Sequence, residues 1–166
     1  MSLLGILRGL DTARVRFVVI GGMAGQLHGS SRLTNDVDIC YDTMPDNLQA
    51  LAALLQRWRA YPRDIEAGLP FTVDARAFHS TESLTLTTTE GNLDIFARVP
   101  GVGRYAEAVA QSRVFDLDGF SVPTLTLDAL IASKVAAGRP KDREHVLELE
   151  ALRDLAAQQR GKPNPG

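Results

Sequence analysis

A paired glycine, Gly21-Gly22, is separated by thirteen residues from two carboxylates set one residue apart, Asp36 and Asp38. This spacing restricts the fold more than any other feature of the chain. Phe17-Val18-Val19-Ile20 reads as a short buried strand feeding a tight glycine turn, and Met23 to His28 reads as a short helix. Backbone amides in such a turn can approach a polyanion without a side chain in the way. Asp36-Val37-Asp38-Ile39-Cys40 then reads as a second strand. Its period of two puts Asp36 and Asp38 on one face and sends Val37 and Ile39 into the core. Two neighbouring carboxylates repel each other, so a bound cation is their natural compensation.

A third acid follows downstream. Ser83 to Thr89 alternates polar and β-forming residues, Glu90-Gly91-Asn92 is a turn signal, and Leu93 to Val99 returns as the partner strand. Asp94 is the one acid inside that apolar run. If its strand lies beside the Asp36 strand, three carboxylates gather at one spot. Such a group suits Mg²⁺, a hard ion usually held by a few carboxylates together with substrate phosphates. Two such ions can activate an attacking hydroxyl and support a leaving pyrophosphate.

The remaining sequence supplies the scaffold. Leu3 to Leu10 is expected as an amphipathic helix covering the sheet. A second helix starts near Pro45, with Asp42 or Thr43 as its cap, and buries Leu48, Leu51, Leu54, Leu55 and Trp58. Arg57, Arg59 and Arg63 read as its solvated C-terminal end. Pro100 to Gly103 breaks the chain, and Tyr105 to Gln111 is a helix. Val114 to Leu117 and Phe120 to Val122 form a second hairpin. A helix capped by Thr126 runs past Lys134, Gly138-Arg139-Pro140 stops it, and Lys141 to Leu155 forms the last one. Residues 1–157 are expected to be a single domain, and the apolar-poor stretch 158–166 a disordered tail. A chain of 166 residues can bury one real core, and its net charge of −2 gives no global attraction to nucleic acid. The single cysteine, Cys40, reads as a small core residue and fits a reducing compartment. No stretch approaches the length of a membrane span, so a cytoplasmic protein with no membrane contact is the default. His28, His79 and His145 lack the spacing of zinc ligands, and His28 reads as structural.

Gly21-Gly22, the run from His28 through Arg32-Leu33-Thr34 to Asp38, the isolated Asp94, and the segment from Lys134 to Lys141-Asp142 occur in an order that resembles the nucleotidyltransferase superfamily of DNA polymerase beta. Within it, the chain is most similar to the AbiEii-toxin-like nucleotidyltransferases. The resemblance implies an α+β nucleotidyltransferase fold, a small mixed β-sheet flanked by helices with a short C-terminal helical extension. It implies Asp36, Asp38 and Asp94 as the catalytic, metal-binding acids. Gly21, Gly22, Ser30, Ser31, Arg32, Lys134 and Lys141 are implied as the nucleotide-binding set. The cofactor implied is Mg²⁺, as two ions, with an NTP as substrate. The implied reaction moves an NMP to a hydroxyl on a tRNA 3′ end, a protein or a small molecule, and an antitoxin is a possible partner. The other reading is a nucleotide-binding or interaction module that keeps the motif and turns over nothing. Two positions depart from the pattern. Many superfamily members carry serine where Gly22 stands, and AbiEii relatives often carry an acid where His145 stands.

Overall fold

The computed structural model describes residues 2–66, 68–69 and 71–161. All four residues of its first strand, β1 (Phe17–Ile20), are buried. Ahead of it, α1 (Leu3–Thr12) packs Ile6, Leu7 and Leu10 into the core, and the Ser2 hydroxyl accepts the Gly5 N–H at 3.1 Å as its cap. The chain leaves β1 directly into α2 (Gly21–Leu27) and returns as β2 (Asp36–Tyr41), antiparallel to β1 with Ile20 opposite Asp38.

The helix α3 (Pro45–Arg57) begins with proline in its first turn. Met44 occupies the cap position, and the Asp42 carboxylate accepts the Met44 N–H at 3.1 Å in place of a helix amide. Next come β3 (Tyr61–Pro62), α4 (Ala75–Ser80), and the hairpin of β4 (Ser83–Thr88) and β5 (Gly91–Phe96). The extended run expected as far as Val99 divides. Arg98–Val99 is a separate strand, β6, which pairs with β7 (Gly103–Arg104) across the glycine turn. Then follow α5 (Tyr105–Ala110), the hairpin of β8 (Ser112–Leu117) and β9 (Phe120–Leu125), and α6 (Leu127–Ala137). The Thr126 hydroxyl caps α6 by accepting the Ala129 N–H at 3.2 Å, and Gly138 ends it in the left-handed region at φ 64°. A 3₁₀ turn (Pro140–Asp142) leads into α7 (Arg143–Arg160). The last helix therefore includes residues 158–160, which the sequence had assigned to a tail, while residues 162–166 lie outside the described residues.

Seven strands form one mixed sheet in the order β3-β4-β5-β2-β1-β9-β8. Two contacts in it are parallel, β2 with β5 and β1 with β9. Val18, Val19, Val37, Ile39, Leu93 and Ile95 are all fully buried at its middle, as is Cys40. Each fully buried aliphatic side chain contributes roughly 1.5–3 kcal/mol, so the strands that carry the acids are firmly held. Among the described residues, no helix is long and apolar enough to cross a membrane.

Candidate active site

The parallel pairing of β2 with β5 sets Asp38 directly opposite Asp94 and Asp36 opposite Asn92. Val37, Ile39, Leu93 and Ile95 face the core, so Asp36, Asp38 and Asp94 share the other face of two adjacent strands. Burial, followed by the negative charges of Asp94 and Asp36, pushes the Asp38 carboxyl up to about 7. Asp94 is also raised, again by burial first, although Arg63 pulls in the opposite direction. Arg63 follows β3. Its Nη1 donates to the Leu86 carbonyl at 2.6 Å, and its Nη2 forms a close ion pair with Asp94. The sequence had assigned Arg63 to a solvated helix end, but α3 stops at Arg57, and the β3–β4 pairing carries Arg63 to the acids.

Among the described residues, no three His, Cys, Asp or Glu side chains close around one point as an ion cage. The expected convergence of three acids is therefore present in strand face and register, not as a closed cage. The donor set still fits a hard divalent cation in its chemistry: three carboxylates on one face, with repulsion that a cation would relieve.

The two glycines, expected as a tight turn ahead of a helix from Met23, are instead the first residues of α2, and they reach these acids because they lack side chains. Gly21 adopts φ +62°, and a Cβ there would collide with the Asp38 carboxylate. A Cβ on Gly22 would come within 3.0 Å of the Thr34 side chain. Gly21 thus requires glycine, for its backbone conformation and for its close approach to Asp38, while a side chain at Gly22 would need Thr34 to shift.

The second glycine, Gly22, also lines a cleft of about 220 Å³ together with Arg32, Thr34, Lys134, Lys141 and His145. Asp142, almost completely buried, organises its cations. It meets Lys134 at 3.6 Å and the Arg139 Nε at 2.7 Å. Burial pushes the Lys134 ammonium below its ordinary range, with Asp142 opposing that shift. Burial alone would raise Asp142, but the hydrogen bond from Arg139 and the charge of Lys134 bring it below the usual carboxylate range.

Ser30 and Ser31 are placed differently from the rest of the implied nucleotide set. Both hydroxyls donate to Glu148 of α7, Ser31 at 3.1 Å and Ser30 in a still closer contact. The Ser30 oxygen also accepts the Arg32 N–H at 3.1 Å. The two serines thus tie the loop after α2 to the last helix. His145 is buried beside Gly25, where a Cβ would stand 3.3 Å from its Nε2. Burial, then the charges of Lys134 and Arg32, disfavour its protonation. His28, expected to pack near the glycine pair, instead contacts the β8–β9 hairpin: its Nε2 meets the Leu125 carbonyl at 2.7 Å, and Phe115 packs edge-on against the ring.

Sequence reading missed Arg63, Arg139 and Glu148. Only Arg139 stood within a recognised segment. Arg63 and Glu148 reach their partners across 31 and 118 residues, and no local spacing announces either contact.

A family profile described as "Nucleotidyl transferase AbiEii toxin, Type IV TA system" matches residues 5–156. No curated protein matches the chain by sequence. Among solved structures, the chain is similar to the lincosamide antibiotic adenylyltransferase LnuA in its lincomycin-bound form. The TM-score is 0.60 at 16% identity, over 90% of this chain and 95% of that one. It is also similar to a Thermotoga maritima protein assigned as a nucleotidyltransferase, with TM-score 0.55 and 17% identity over 95% and 96% of the two chains. The antibiotic-resistance factor ANT(2″)-Ia, bound to adenylyl-2″-tobramycin, gives TM-score 0.51 and 16% identity over 94% and 95%. At these identities the three likenesses show the fold, a mixed sheet flanked by helices that nucleotidyltransferases share.

Proposed function

This chain belongs to the AbiEii family of nucleotidyltransferases, and from that premise we propose that it transfers an NMP from an NTP to a hydroxyl acceptor in a Mg²⁺-dependent reaction. The observation that carries the reading is the register of Asp38 against Asp94 beside a glycine pair that approaches the Asp38 carboxylate without a side chain between them.

In the proposed complex, the triphosphate lies between the amides of Gly21-Gly22 and the cations of the α6–α7 junction. Lys134 neutralises phosphate charge from one side, helped by Arg32 and Lys141 on the rim of the same cleft. Asp36 and Asp38, with Asp94, hold the metal. Bound there, Mg²⁺ would acidify the acceptor hydroxyl and neutralise charge on the departing pyrophosphate. The acceptor hydroxyl gives its proton to the Asp94 carboxylate, its oxygen forms a bond to the α-phosphorus as the bond from that phosphorus to the β-phosphate oxygen breaks, and pyrophosphate leaves with the bonding electrons. The protein contributes position and charge compensation. The acceptor belongs to one of three classes, a tRNA 3′ end, a protein or a small molecule. The solved neighbours that adenylylate antibiotics illustrate the last. The family's toxin description supports a role in a toxin-antitoxin pair.

The test is incubation with Mg²⁺, each labelled NTP in turn, and total cell RNA, protein and small-molecule pools. The expected result is label entering one pool with release of pyrophosphate. Absence of transfer, together with no thermal stabilisation by any NTP, would overturn the reading.

A further inference from the structure

Arg63 is held at three points. Its N–H donates to the Thr85 carbonyl at 3.0 Å, its Nη1 to the Leu86 carbonyl at 2.6 Å, and its Nη2 to Asp94 Oδ1 in a close ion pair. Thr85 is the strand partner of Asp94 in the β4–β5 hairpin, so the step of the sheet that presents Asp94 also anchors the arginine. The two side chains keep only 24% and 13% of their surface open to water, which leaves their interaction weakly screened. A planar guanidinium that engages a carbonyl and a carboxylate together fixes both distance and angle, which a lysine cannot do.

Resting on the nucleotidyltransfer reading above, we infer that Arg63 is a positioning residue for the third acid. It fixes the Asp94 carboxylate, occupies one of its oxygens, and offsets its charge while no cation is bound. This arrangement has two consequences of opposite sign. Arg63 competes with an incoming divalent cation for Asp94, so it weakens metal binding. It also keeps Asp94 oriented beside Asp38, so it supports turnover. A purely structural arginine would weaken both when removed.

Mn²⁺ titration followed by electron paramagnetic resonance separates these cases, using the wild-type protein, R63Q, R63K, D94N and the double variant R63Q/D94N. Thermal melts of each establish that it is folded. R63Q is expected to bind Mn²⁺ roughly fivefold more tightly than wild type, because one more carboxylate oxygen is freed and one positive charge is lost. R63K should stay within about twofold of wild type, since it keeps the charge. In the D94N background, the same R63Q change should alter Mn²⁺ affinity less than about twofold, because the group through which Arg63 acts is gone. NMP transfer by R63Q should fall at least roughly tenfold even at saturating Mn²⁺, with partial recovery in R63K. Unchanged or weaker Mn²⁺ binding by a folded R63Q would overturn the inference, as would equal tightening with and without Asp94. A wild-type protein that binds no Mn²⁺, with or without NTP, would overturn the proposed function and this inference with it. Wild-type binding that R63Q leaves unaltered overturns the inference alone.

Discussion

Asp36, Asp38 and Asp94 stand on two neighbouring strands in the middle of the sheet, with like charges side by side and Arg63 as the ion-pair partner of one of them. Lys134 and Arg139, across the cleft, come from the junction of two helices and share one buried carboxylate, Asp142. The acids keep their repulsion because rigid strands with fully buried neighbours do not let them separate. The two cations are partly compensated in advance by that one carboxylate, because a lysine on the packed side of α6 would otherwise lose its hydration without return. The difference teaches that the two walls relate oppositely to stability. The acid wall holds unfavourable energy that an incoming cation can release, and the cation wall is already part of what holds α6 to α7.

The strongest way to break this comparison is to remove charge from the acid wall. D36N and D38N each keep the shape of the side chain, and each should lower NMP transfer by roughly a thousandfold or more, about 4 kcal/mol in the barrier. Their melting temperatures should stay at or slightly above that of wild type, since repulsion is relieved. Full activity in both would remove the metal-binding reading of the acids.

Removing charge from the other wall should do the reverse to stability. D142A leaves the buried Lys134 without its partner, while the half-exposed Arg139 can turn to water, and should cost about 3 kcal/mol in urea unfolding. A D142A protein as stable as wild type would show that the α6–α7 junction does not depend on the pair.

Ligand binding joins the two walls. Mg²⁺ and an NTP together should stabilise the protein by roughly 2.7 kcal/mol at a hundred times the dissociation constant, and either alone should do much less. Equal stabilisation by NTP alone would mean that the cation wall binds triphosphate without help from the acids.

The pH dependence of the unliganded protein sharpens the contrast with a smaller effect, since water still reaches the half-buried Asp38 and screens it. The Asp38 carboxyl is raised from 3.8 to about 7, so the fold favours its protonated form. Its contribution to stability is fully present below the unfolded value and is lost as pH rises through about 7. Asp142 is lowered, so its contribution is present above its unfolded value and is lost as pH falls through the folded one. Denaturation at a series of pH values should show D38N flattening the loss of stability between pH 4 and 7. In D142N, the loss on acidification should shrink instead. A D38N profile parallel to wild type would show that burial and the neighbouring acids do not raise the Asp38 carboxyl.

The sequence by itself determined the parts whose physical cause is local. Period-two alternation put Val37 and Ile39 inside and Asp36 and Asp38 on the other face, and the structure has that arrangement. The glycine pair, the Thr126 cap and the Gly138 stop are equally local, because each follows from backbone conformation or from a hydrogen bond within a few residues. The Asp94 hairpin was legible from its turn and alternation, but its place beside β2 was only a condition, which the parallel pairing of β2 with β5 fulfils. The short elements escaped notice. β3 is two residues long and contains a proline, α4 has six residues, and β6 and β7 pair across a turn that looked like a simple break. In each, too few residues repeat for a period to emerge, and pairing with a distant neighbour decides the structure. The same reason hid the partners of the site. Arg63 had no feature that separated it from Arg57 and Arg59 until the β3–β4 pairing brought it to Asp94, and nothing in Ser30-Ser31 pointed to Glu148 on α7. Which residues carry the charge is written along the chain. Which charges meet was decided by the tertiary structure, because ion pairs are formed by side chains that only the packed sheet and the last two helices bring within reach.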